Sequence, residues 1–212
     1  MLKELNSVKI ISIAAKKYSD SCYVKLSNDD TLLLNIDIIS KNCLVKGKEI
    51  DSQSLESIIN AQRLIDIRKT AYRFASYKPR SIFQIKQKLI EKGFITSEIN
   101  IAIKFLLEFN LLDDIKFTEN FIKNKAQNKK YGINRIRIEL KKAGIDNNTI
   151  DDSLQSFYPK ESAIDLAREA SNKKMKMLSL KPIEKQRNSL IQFLLRHGYN
   201  WEIINIIIKE YF

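Results

Sequence analysis

The clearest structural pattern in this chain lies in residues 133–145, whose sequence is INRIRIELKKAGI. Ile133, Ile136 and Leu140 fall at positions i, i+3 and i+7, so their side chains share one face of an α-helix. Gly144 ends the helix, because glycine adopts the left-handed conformation of the C′ position at little steric cost, and an apolar residue follows it. The segment therefore predicts an amphipathic helix that stops at this glycine, with Leu140 buried.

The same pattern occurs three times along the chain. Its first copy comprises Ile82, Ile85, Leu89 and Gly93-Phe94, and its last comprises Arg187, Leu190, Leu194 and Gly198-Tyr199. In every copy the glycine follows the last leucine by four residues, and the copies are separated by 51 and then 54 residues. Internal repeats of this length are typical of arrays in which each unit stacks on its neighbours. We therefore expect helices 82–92 and 133–143 to occupy equivalent places in their units.

Two further predicted helices flank each copy. An isoleucine occurs six residues after each glycine, and a polar residue that can act as an N-cap precedes it. Each isoleucine is therefore predicted to lie at the start of a downstream amphipathic helix. These isoleucines are Ile99, Ile150 and Ile204. Upstream helices are predicted at roughly 66–77, 115–129 and 160–179 from the apolar periodicity. Each copy is thus the middle element of a three-helix unit.

Two local features refine this prediction. Ser81-Ile82-Phe83-Gln84 is a capping box, in which the serine hydroxyl accepts a first-turn N–H and the glutamine reaches back to the cap. The extra length of the third copy predicts a looser loop around Leu180-Lys181-Pro182, with the proline near a helix start.

The N-terminal segment has a different pattern, with alternating and β-branched residues. Strands are predicted at Val8–Ala14, Cys22–Leu26 and Thr31–Ile36, and the turn cluster Ser27–Asp30 separates the last two. Such a hairpin or three-stranded meander is marginally stable alone, so we expect it to pack on a helix. The helix that follows is predicted to begin near Ser52 or Ser54 and to reach Tyr77.

These patterns predict a mainly α protein with three tandem three-helix repeats in an elongated array, preceded by a small N-terminal antiparallel β piece. We place the β hairpin or meander in residues 1–50, and a linking helix with the first repeat in 51–114. The second repeat is expected in 115–159 and the third in 160–212.

The net charge of +12 is unevenly distributed. Residues 1–60 carry 8 basic and 8 acidic side chains, whereas residues 61–212 carry 29 basic and 17 acidic ones. This excess indicates a polyanionic or acidic partner for the helical part, although a lysine-rich solubilising surface would give the same count.

Several function classes find no support in the sequence. It contains no apolar run of about 18 residues, and residues 1–10 do not resemble a secretory signal. Cys22 and Cys43 lie far apart, His197 is the only histidine, and we find no phosphate-binding loop and no hydrolase or metal-ligand motif. We therefore expect a cytoplasmic protein with reduced thiols, no membrane association, no metal or cofactor, and no enzymatic activity.

The order of motifs in the second repeat is more specific than any one of them. It runs Asp113-Asp114, Phe117, Phe121, Gly132-Ile133-Asn134-Arg135-Ile136 and Glu139-Leu140. This order resembles the RecX family over about residues 65–212, most closely over 71–155, although Thr118 and Lys125 stand where the family usually has alanine and arginine. The resemblance implies a non-enzymatic regulator, mainly an inhibitor, that binds RecA–DNA filaments and modulates ATP hydrolysis and strand exchange in DNA repair, homologous recombination and the SOS response. It also implies weak, non-specific binding of single- or double-stranded DNA by a monomer.

The densest basic segment is the candidate binding site for phosphates or for acidic patches of the recombinase. Its residues are Lys123, Lys125, Lys129, Lys130, Arg135, Arg137, Lys141 and Lys142. A solvated helix face is the alternative interpretation, and Arg135 has a further one, as a structural residue that ties helix ends between repeats. Weaker candidates are Lys86, Lys88 and Lys92, and Arg168, Lys173, Lys174 and Lys176.

Two other functions remain open. Short three-helix units also resemble helix-turn-helix DNA-binding domains, although a recognition helix favours Arg, Asn or Gln for base contacts and the helices here offer mostly Lys. A helical adaptor with no nucleic-acid role is the second alternative. Salt-dependent DNA binding would argue against the adaptor, and a strong preference for one duplex sequence would argue against the RecX interpretation.

Overall fold

The computed structural model describes residues 7–158 and 160–212. Its N-terminal part is an antiparallel sheet of four strands. The strands are β1 (Val8–Ala15), β2 (Ser21–Leu26), β3 (Thr31–Asn35) and β4 (Glu49–Ile50), in the order β3-β2-β1-β4. In the register of β2 and β3, Val24 pairs with Leu32 and Tyr23 with Leu33, and a bulge interrupts β1 between Ile10 and Ser12. The predicted turn 27–30 joins β2 to β3, and β4 was not among the predicted strands.

The third strand ends one residue earlier than predicted. Asn35 is the N-cap of helix α1 (Ile36–Lys41), and its side-chain oxygen accepts the amide of Asp37. The prediction that Ile36 belongs to the strand is therefore wrong, because a helix begins at that residue.

The sheet packs on the long helix α2 (Ser52–Tyr77). Ile10, Val24, Leu26 and Leu34 on its inner face form one buried cluster with Ile38, Leu44, Ile50 and the α2 residue Ile58. This confirms the prediction that the β piece packs on a helix and that the helix reaches Tyr77. The cluster belongs to a compact unit formed by residues 7–74 and 89–105, and residues 75–88 and 106–212 form a second unit.

The rest of the chain is helical in the part that the structure describes. The helices are α3 (Ile82–Glu91), α4 (Thr96–Glu108), α5 (Asp114–Lys129), α6 (Ile133–Lys142), α7 (Asn147–Phe157), α8 (Lys160–Leu178), α9 (Ile183–His197) and α10 (Trp201–Tyr211). Leu89, Leu140 and Leu194 are buried, and each of the glycines four residues later has a positive φ, +78° at Gly144. The prediction of a mainly helical chain with tandem three-helix repeats behind a small antiparallel sheet is confirmed.

The core of the second repeat lies between α5, α6 and α7. It comprises Phe117, Ile122, Ala126, Ile136, Leu140, Ala143, Ile145, Ile150 and Leu154. Phe121 packs against this core with its ring centroid 5.7 Å from that of Phe117, so both rings contribute to packing. Asp113 caps α5 by accepting the amide of Lys116 at 2.9 Å, and Asp146 caps α7 by accepting the amide of Thr149 at 2.9 Å.

Inside the second unit, the start of α3 meets the end of α6. The Ser81 hydroxyl accepts the amide of Gln84 at 3.2 Å, which confirms half of the predicted capping box, and donates to the carbonyl of Ala143 at 2.5 Å. The other half is wrong, because the buried Oε1 of Gln84 has no hydrogen-bond partner among the described residues. Gly144 lies against the ring of Phe83, whose atoms a β-carbon on the glycine would overlap.

The start of α6 meets the end of α9 in the same arrangement. The amide of Gly132 donates to the carbonyl of His197 at 2.7 Å, and that of Asn134 donates to the carbonyl of Gly198 at 3.2 Å. A β-carbon on Gly132 would overlap backbone atoms of Gly198 and Tyr199, and one on Gly198 would overlap Arg135. We call the α3–α6 contact the first junction and the α6–α9 contact the second junction. Helices α3 and α6 therefore hold equivalent places in their repeats, as expected.

The extra length of the third repeat is helical. Helix α9 has 15 residues and α6 has 10, whereas the connection 179–182 that leads into α9 is only one residue longer than the connection 130–132. The expectation of a looser loop is therefore wrong: α9 begins one turn earlier than α6, with Pro182 as its N-cap. The backbone of Lys181 donates to the carbonyl of Leu178, which closes the connection tightly.

Candidate binding surface

The eight predicted site residues all lie on α5, on α6 or between them. Lys123, Lys125 and Lys129 are on α5, and Lys130 is its C-cap residue, in the left-handed conformation. Arg135, Arg137, Lys141 and Lys142 are on α6, whose opposite face carries the buried Ile136 and Leu140. We call this set of eight side chains the basic surface. The local fold thus brings them onto neighbouring elements of one repeat, but their electrostatic states differ.

Two of these cations share one carboxylate between α5 and α6. The Nζ of Lys125 lies 2.6 Å from Oε2 of Glu139, and the Nε of Arg135 lies 3.3 Å from its Oε1. Burial alone would raise the pKa of the Glu139 carboxyl, but the hydrogen bonds and charges of Lys125 and Arg135 outweigh it, so this pKa lies below its ordinary value. Both cations are therefore partly neutralised within the repeat.

Three more cations of the basic surface hold ion pairs. Lys123 lies 2.5 Å from Glu119, one turn earlier on α5. Lys130 pairs with Glu169 of α8, and Arg137 pairs with Asp151 of α7. Partly exposed ion pairs of this kind contribute little to stability, so a phosphate can replace the carboxylate at small cost. As they stand, however, these three charges are compensated.

Arg135 also has structural contacts that bear on its alternative interpretation. Its Nη1 donates to the carbonyl of Arg196 at 2.8 Å, and its guanidinium carbon lies 4.0 Å from the ring centroid of Tyr131. The first contact satisfies a carbonyl in the last turn of α9, across the second junction. The geometry thus favours a structural role for Arg135.

Lys129, Lys141 and Lys142 complete the basic surface. Their side chains are exposed, and none has an ion-pair partner in the part of the chain that the structure describes. Lys141 lies four residues after Arg137, so the two side chains project from neighbouring turns on one side of α6. These three lysines are the members of the surface whose charge is available to an anionic partner without loss of an internal contact.

The three-helix segments match known families in order along the chain. Residues 68–106 match the first three-helix domain of RecX, residues 113–154 the second, and residues 161–208 the third. The Regulatory protein RecX of Clostridium botulinum is 31% identical over 202 residues, and the alignment covers 92% of each chain. This chain belongs to the RecX family.

Other RecX proteins support the same assignment. The Regulatory protein RecX of Clostridium acetobutylicum is 30% identical over 202 residues, with 94% of each chain covered. A crystal structure of regulatory protein RecX superposes with a TM-score of 0.66 at 22% identity, and covers 95% of this chain and 99% of that one. RecX from Lactobacillus salivarius superposes with a TM-score of 0.61 at 24% identity, over 71% of this chain and 97% of that one. These two structural matches show that the fold is that of RecX.

The second RecX domain, residues 113–154, contains the whole basic surface. Next to it lies a groove of about 460 Å³, which was not predicted from the sequence. Its lining includes Lys78, Gln84, Asn120, Asn124 and the surface residue Lys125. The two asparagines are four residues apart on α5, and this spacing could have indicated an amide-bearing face of that helix.

The two weaker candidate sets, which begin at Lys86 and at Arg168, lie outside the basic surface. Lys86 lies near Asp114, whose pKa is raised, chiefly because the carboxyl is buried. In the third RecX domain, Arg168 holds Glu210 at 2.7 Å and Asp165 at 2.6 Å, and Lys174 lies 5.7 Å from the ring centroid of Phe193. Lys173 and Lys176 remain exposed on α8. The Arg168–Lys176 set therefore offers fewer free cations than the basic surface.

Two buried tyrosines hold the C-terminus of α5 in place. The hydroxyl of Tyr199 donates to the carbonyl of Lys130 at 2.8 Å, and that of Tyr158 donates to the carbonyl of Tyr131 at 3.2 Å. Burial raises the pKa of Tyr158 to about 12 and also raises that of Tyr199, so both hydroxyls stay protonated and can donate. The position of Lys130 in the basic surface is thus set by side chains that come from outside α5 and α6.

The described residues contain no group of three or more His, Cys, Asp or Glu side chains that could hold a metal ion. None of the helices within the described ranges combines the length and hydrophobicity that crossing a membrane requires.

Proposed function

We propose that this protein regulates the RecA recombinase, mainly as an inhibitor, by binding the recombinase–DNA filament and modulating ATP hydrolysis and strand exchange. Membership of the RecX family supports the regulatory role, and the three available lysines on α5 and α6 support an anionic target. The protein acts by binding and not by catalysis, and needs no cofactor. It works as a monomer in the cytoplasm and contacts single- or double-stranded DNA weakly and without sequence preference, in DNA repair, homologous recombination and the SOS response.

The observation that carries the proposal is the exposure of Lys129, Lys141 and Lys142, which have no ion-pair partner among the described residues. Lysines in this state bind DNA phosphates and release condensed counterions, which makes the affinity depend on salt. Lys125, Lys130 and Arg137 can join them only by giving up Glu139, Glu169 and Asp151.

The function is tested by the rate of DNA-dependent ATP hydrolysis of the cognate recombinase, with and without this protein. We expect the rate to fall as the protein is added, and strand exchange to fall in parallel. An unchanged rate at concentrations that saturate the filament would contradict the regulatory role.

The binding surface is tested by a salt titration of filament binding. The triple variant Lys129→Gln, Lys141→Gln and Lys142→Gln should bind more weakly, and the slope of log K against log salt should become shallower by about 2 to 3, since up to three phosphate contacts are lost. The matched control changes Lys17, Lys41 and Lys46 to Gln, three exposed lysines of the N-terminal unit, which removes the same charge.

The outcomes separate the possible targets. Equal losses in both triple variants would mean that net charge alone matters and that the basic surface is not the site. A strong preference for one duplex sequence would point to helix-turn-helix recognition, and filament binding that does not change with salt would point to an adaptor without a nucleic-acid role.

A further inference from the structure

The turn between α8 and α9 carries three large apolar side chains in solvent. Leu180 is 100% exposed, Met177 is 77% exposed and Ile183 is 70% exposed, all within seven consecutive residues. We call residues 176–187 the α8–α9 tip. Isolated exposed leucines are common on protein surfaces, but three such side chains at the end of one helical hairpin form an apolar projection.

The tip is ordered by its own hydrogen bonds. The backbone of Lys181 donates to the carbonyl of Leu178 at 2.9 Å, and the side chain of Gln186 donates to the carbonyl of Lys181 at 2.7 Å. The Ser179 hydroxyl donates to the carbonyl of Lys176 at 3.2 Å, and Leu178 is buried beneath the turn. A partner would therefore meet apolar side chains held on a preformed turn, so little ordering entropy is lost on binding.

The second repeat has no counterpart of the tip. Helix α6 begins at Ile133, directly after a connection of three residues, whereas α9 has an additional first turn that carries Ile183 into solvent. The hydrophobic core of the third repeat uses Leu190 and Leu194 further along α9 and does not include the exposed residues of the tip. The additional turn thus adds surface without adding to the core.

The charge around the apolar residues is almost entirely positive. Lys176, Lys181, Lys185 and Arg187 are exposed, and none has an ion-pair partner within the described ranges. Glu184 is the single acidic residue of the tip. A complementary surface therefore has an apolar depression with carboxylates around it.

We propose that the α8–α9 tip docks into a protein surface of this kind, and that in the function proposed above, on which this inference rests, the surface belongs to a recombinase subunit and not to DNA. Aliphatic side chains form no hydrogen bonds with phosphates or base edges, and their insertion between bases requires unstacking of the duplex. A protein pocket receives them without that cost and gains from the apolar area that is buried. The protein then contacts the filament at two chemically different places, with the basic surface on phosphates and the tip on the recombinase.

The test compares a double variant of the tip with a matched control. Leu180→Gln with Ile183→Gln removes the two branched apolar side chains of the tip and leaves its charge unchanged. Ile115→Gln with Trp201→Gln removes two apolar side chains that are 64% and 57% exposed in the same unit. Ile115 and Trp201 lie, like Ile183, in the first turn of a helix. Both variants keep the buried core, and circular dichroism checks that their helicity matches wild type.

The tip variant should bind the recombinase–DNA filament at least about tenfold more weakly than wild type, a loss typical for two buried anchor residues. Its affinity for DNA alone and the salt slope of filament binding should stay unchanged, and the control should bind like wild type. The wild type should also bind DNA-free recombinase, and the tip variant should lose that binding.

Each other outcome overturns the inference. If the tip variant loses affinity for DNA alone to the same degree, the tip is an apolar wedge for nucleic acid. If wild type binds the filament and the tip variant binds equally well, the tip has no role, while the proposed function stands. Wild type that fails to bind the filament overturns the proposed function and this inference with it.

Discussion

The two junctions of the second unit have the same backbone arrangement but different chemistry. In the first junction a side chain makes the connecting hydrogen bond, since the hydroxyl of Ser81 reaches the carbonyl of Ala143. In the second, the backbone amide of Gly132 takes that place and reaches the carbonyl of His197. The glycine that ends the later helix contacts the ring of Phe83 in the first junction and main-chain atoms of α6 in the second.

This difference shows what a repeat boundary requires. A carbonyl at the end of one helix needs a donor from the start of the preceding repeat's middle helix, and either a hydroxyl or a main-chain amide can supply it. The main-chain version needs a closer approach, which only glycine on both sides allows. The first junction, built from side chains, should therefore be more tolerant of substitution than the second.

The largest expected effect is that of Gly198→Ala in the second junction. The new β-carbon would overlap the backbone of Arg135, and Gly198 itself has a φ of +87°, which strains any residue other than glycine. We therefore expect a loss of about 2–5 kcal/mol in the free energy of unfolding. Gly93→Ala is the control, because its φ is +81° and no described atom lies within 4 Å of the added carbon. It should cost about 1–2 kcal/mol, from backbone strain alone. Urea unfolding measures both, and equal losses would contradict the close approach.

Gly144→Ala should have a smaller effect, since the obstacle is the half-exposed side chain of Phe83. We expect a loss of about 2–3 kcal/mol in unfolding free energy, from strain and a displaced ring. In a Phe83→Gly background, which removes every overlapping atom including the β-carbon, the same substitution should cost only about 1–2 kcal/mol, and a double-mutant cycle detects this difference. Arg135→Ala should give Gly198→Ala no such relief, because the overlapping atoms of Arg135 remain. Similar coupling in both cycles would mean that the junctions do not differ in this way.

Ser81→Ala removes the connecting hydrogen bond of the first junction and the N-cap of α3 together. The expected loss of unfolding free energy is about 1–2 kcal/mol. Ser81→Thr keeps the hydroxyl and serves as the control, so most of the stability should return in that variant. A Ser81→Ala protein as stable as wild type would show that solvent replaces the hydroxyl at this boundary.

The smallest expected effect is a pH dependence confined to the second junction. Burial lowers the pKa of His197 below its ordinary 6.5, and its Nδ1 lies 3.0 Å from the carbonyl oxygen of Phe193. Because the pKa is lower in the folded state, the stabilisation is complete above pH 6.5 and is lost as the pH falls through the folded pKa. Chemical unfolding between pH 7 and 5 should show this slope in wild type and a flatter one in His197→Gln. Ala143 holds the equivalent place in the first junction and cannot titrate, so parallel curves would exclude the histidine as the cause.

The repeat architecture was predictable because its signals are local. Each signal concerns a single helix: a buried leucine, a glycine four residues later that ends the helix, and an isoleucine six residues further on that lies in the next helix. The common spacing of these residues in three copies indicates the repeat array. The end of β3 was less predictable, because Ile36 suits a strand by its side chain and only the N-cap role of Asn35 assigns it to a helix. The helix start near Pro182 was predicted correctly, but the extra length of the third copy was assigned to a loop and not to an additional turn of α9.

The basic surface was predictable in position but not in charge state. The density of lysine and arginine between residues 123 and 142 identified the elements correctly, and the assignment of a binding role to them stays a prediction. The counter-ions of Lys130 and Arg137, Glu169 and Asp151, come from other helices, so tertiary structure alone decides that these two cations are compensated. The exposure of the apolar residues in the α8–α9 tip could not be predicted for a similar reason, because it depends on the residue at which α9 begins.

The main-chain bonds of the second junction have a consequence for amide hydrogen exchange. The N–H groups of Gly132 and Asn134 are bonded to carbonyls of the following repeat, so they meet deuterated solvent only when that boundary opens. The exchange rates of these two amides of the second repeat therefore measure how often the contact with the third repeat opens. The connecting bond of the first junction gives no such measurement, because the hydroxyl proton of Ser81 exchanges too fast to be followed. The opening rate of the second junction can thus be measured at individual amides, whereas the connecting hydrogen bond of the first junction cannot be followed by hydrogen exchange.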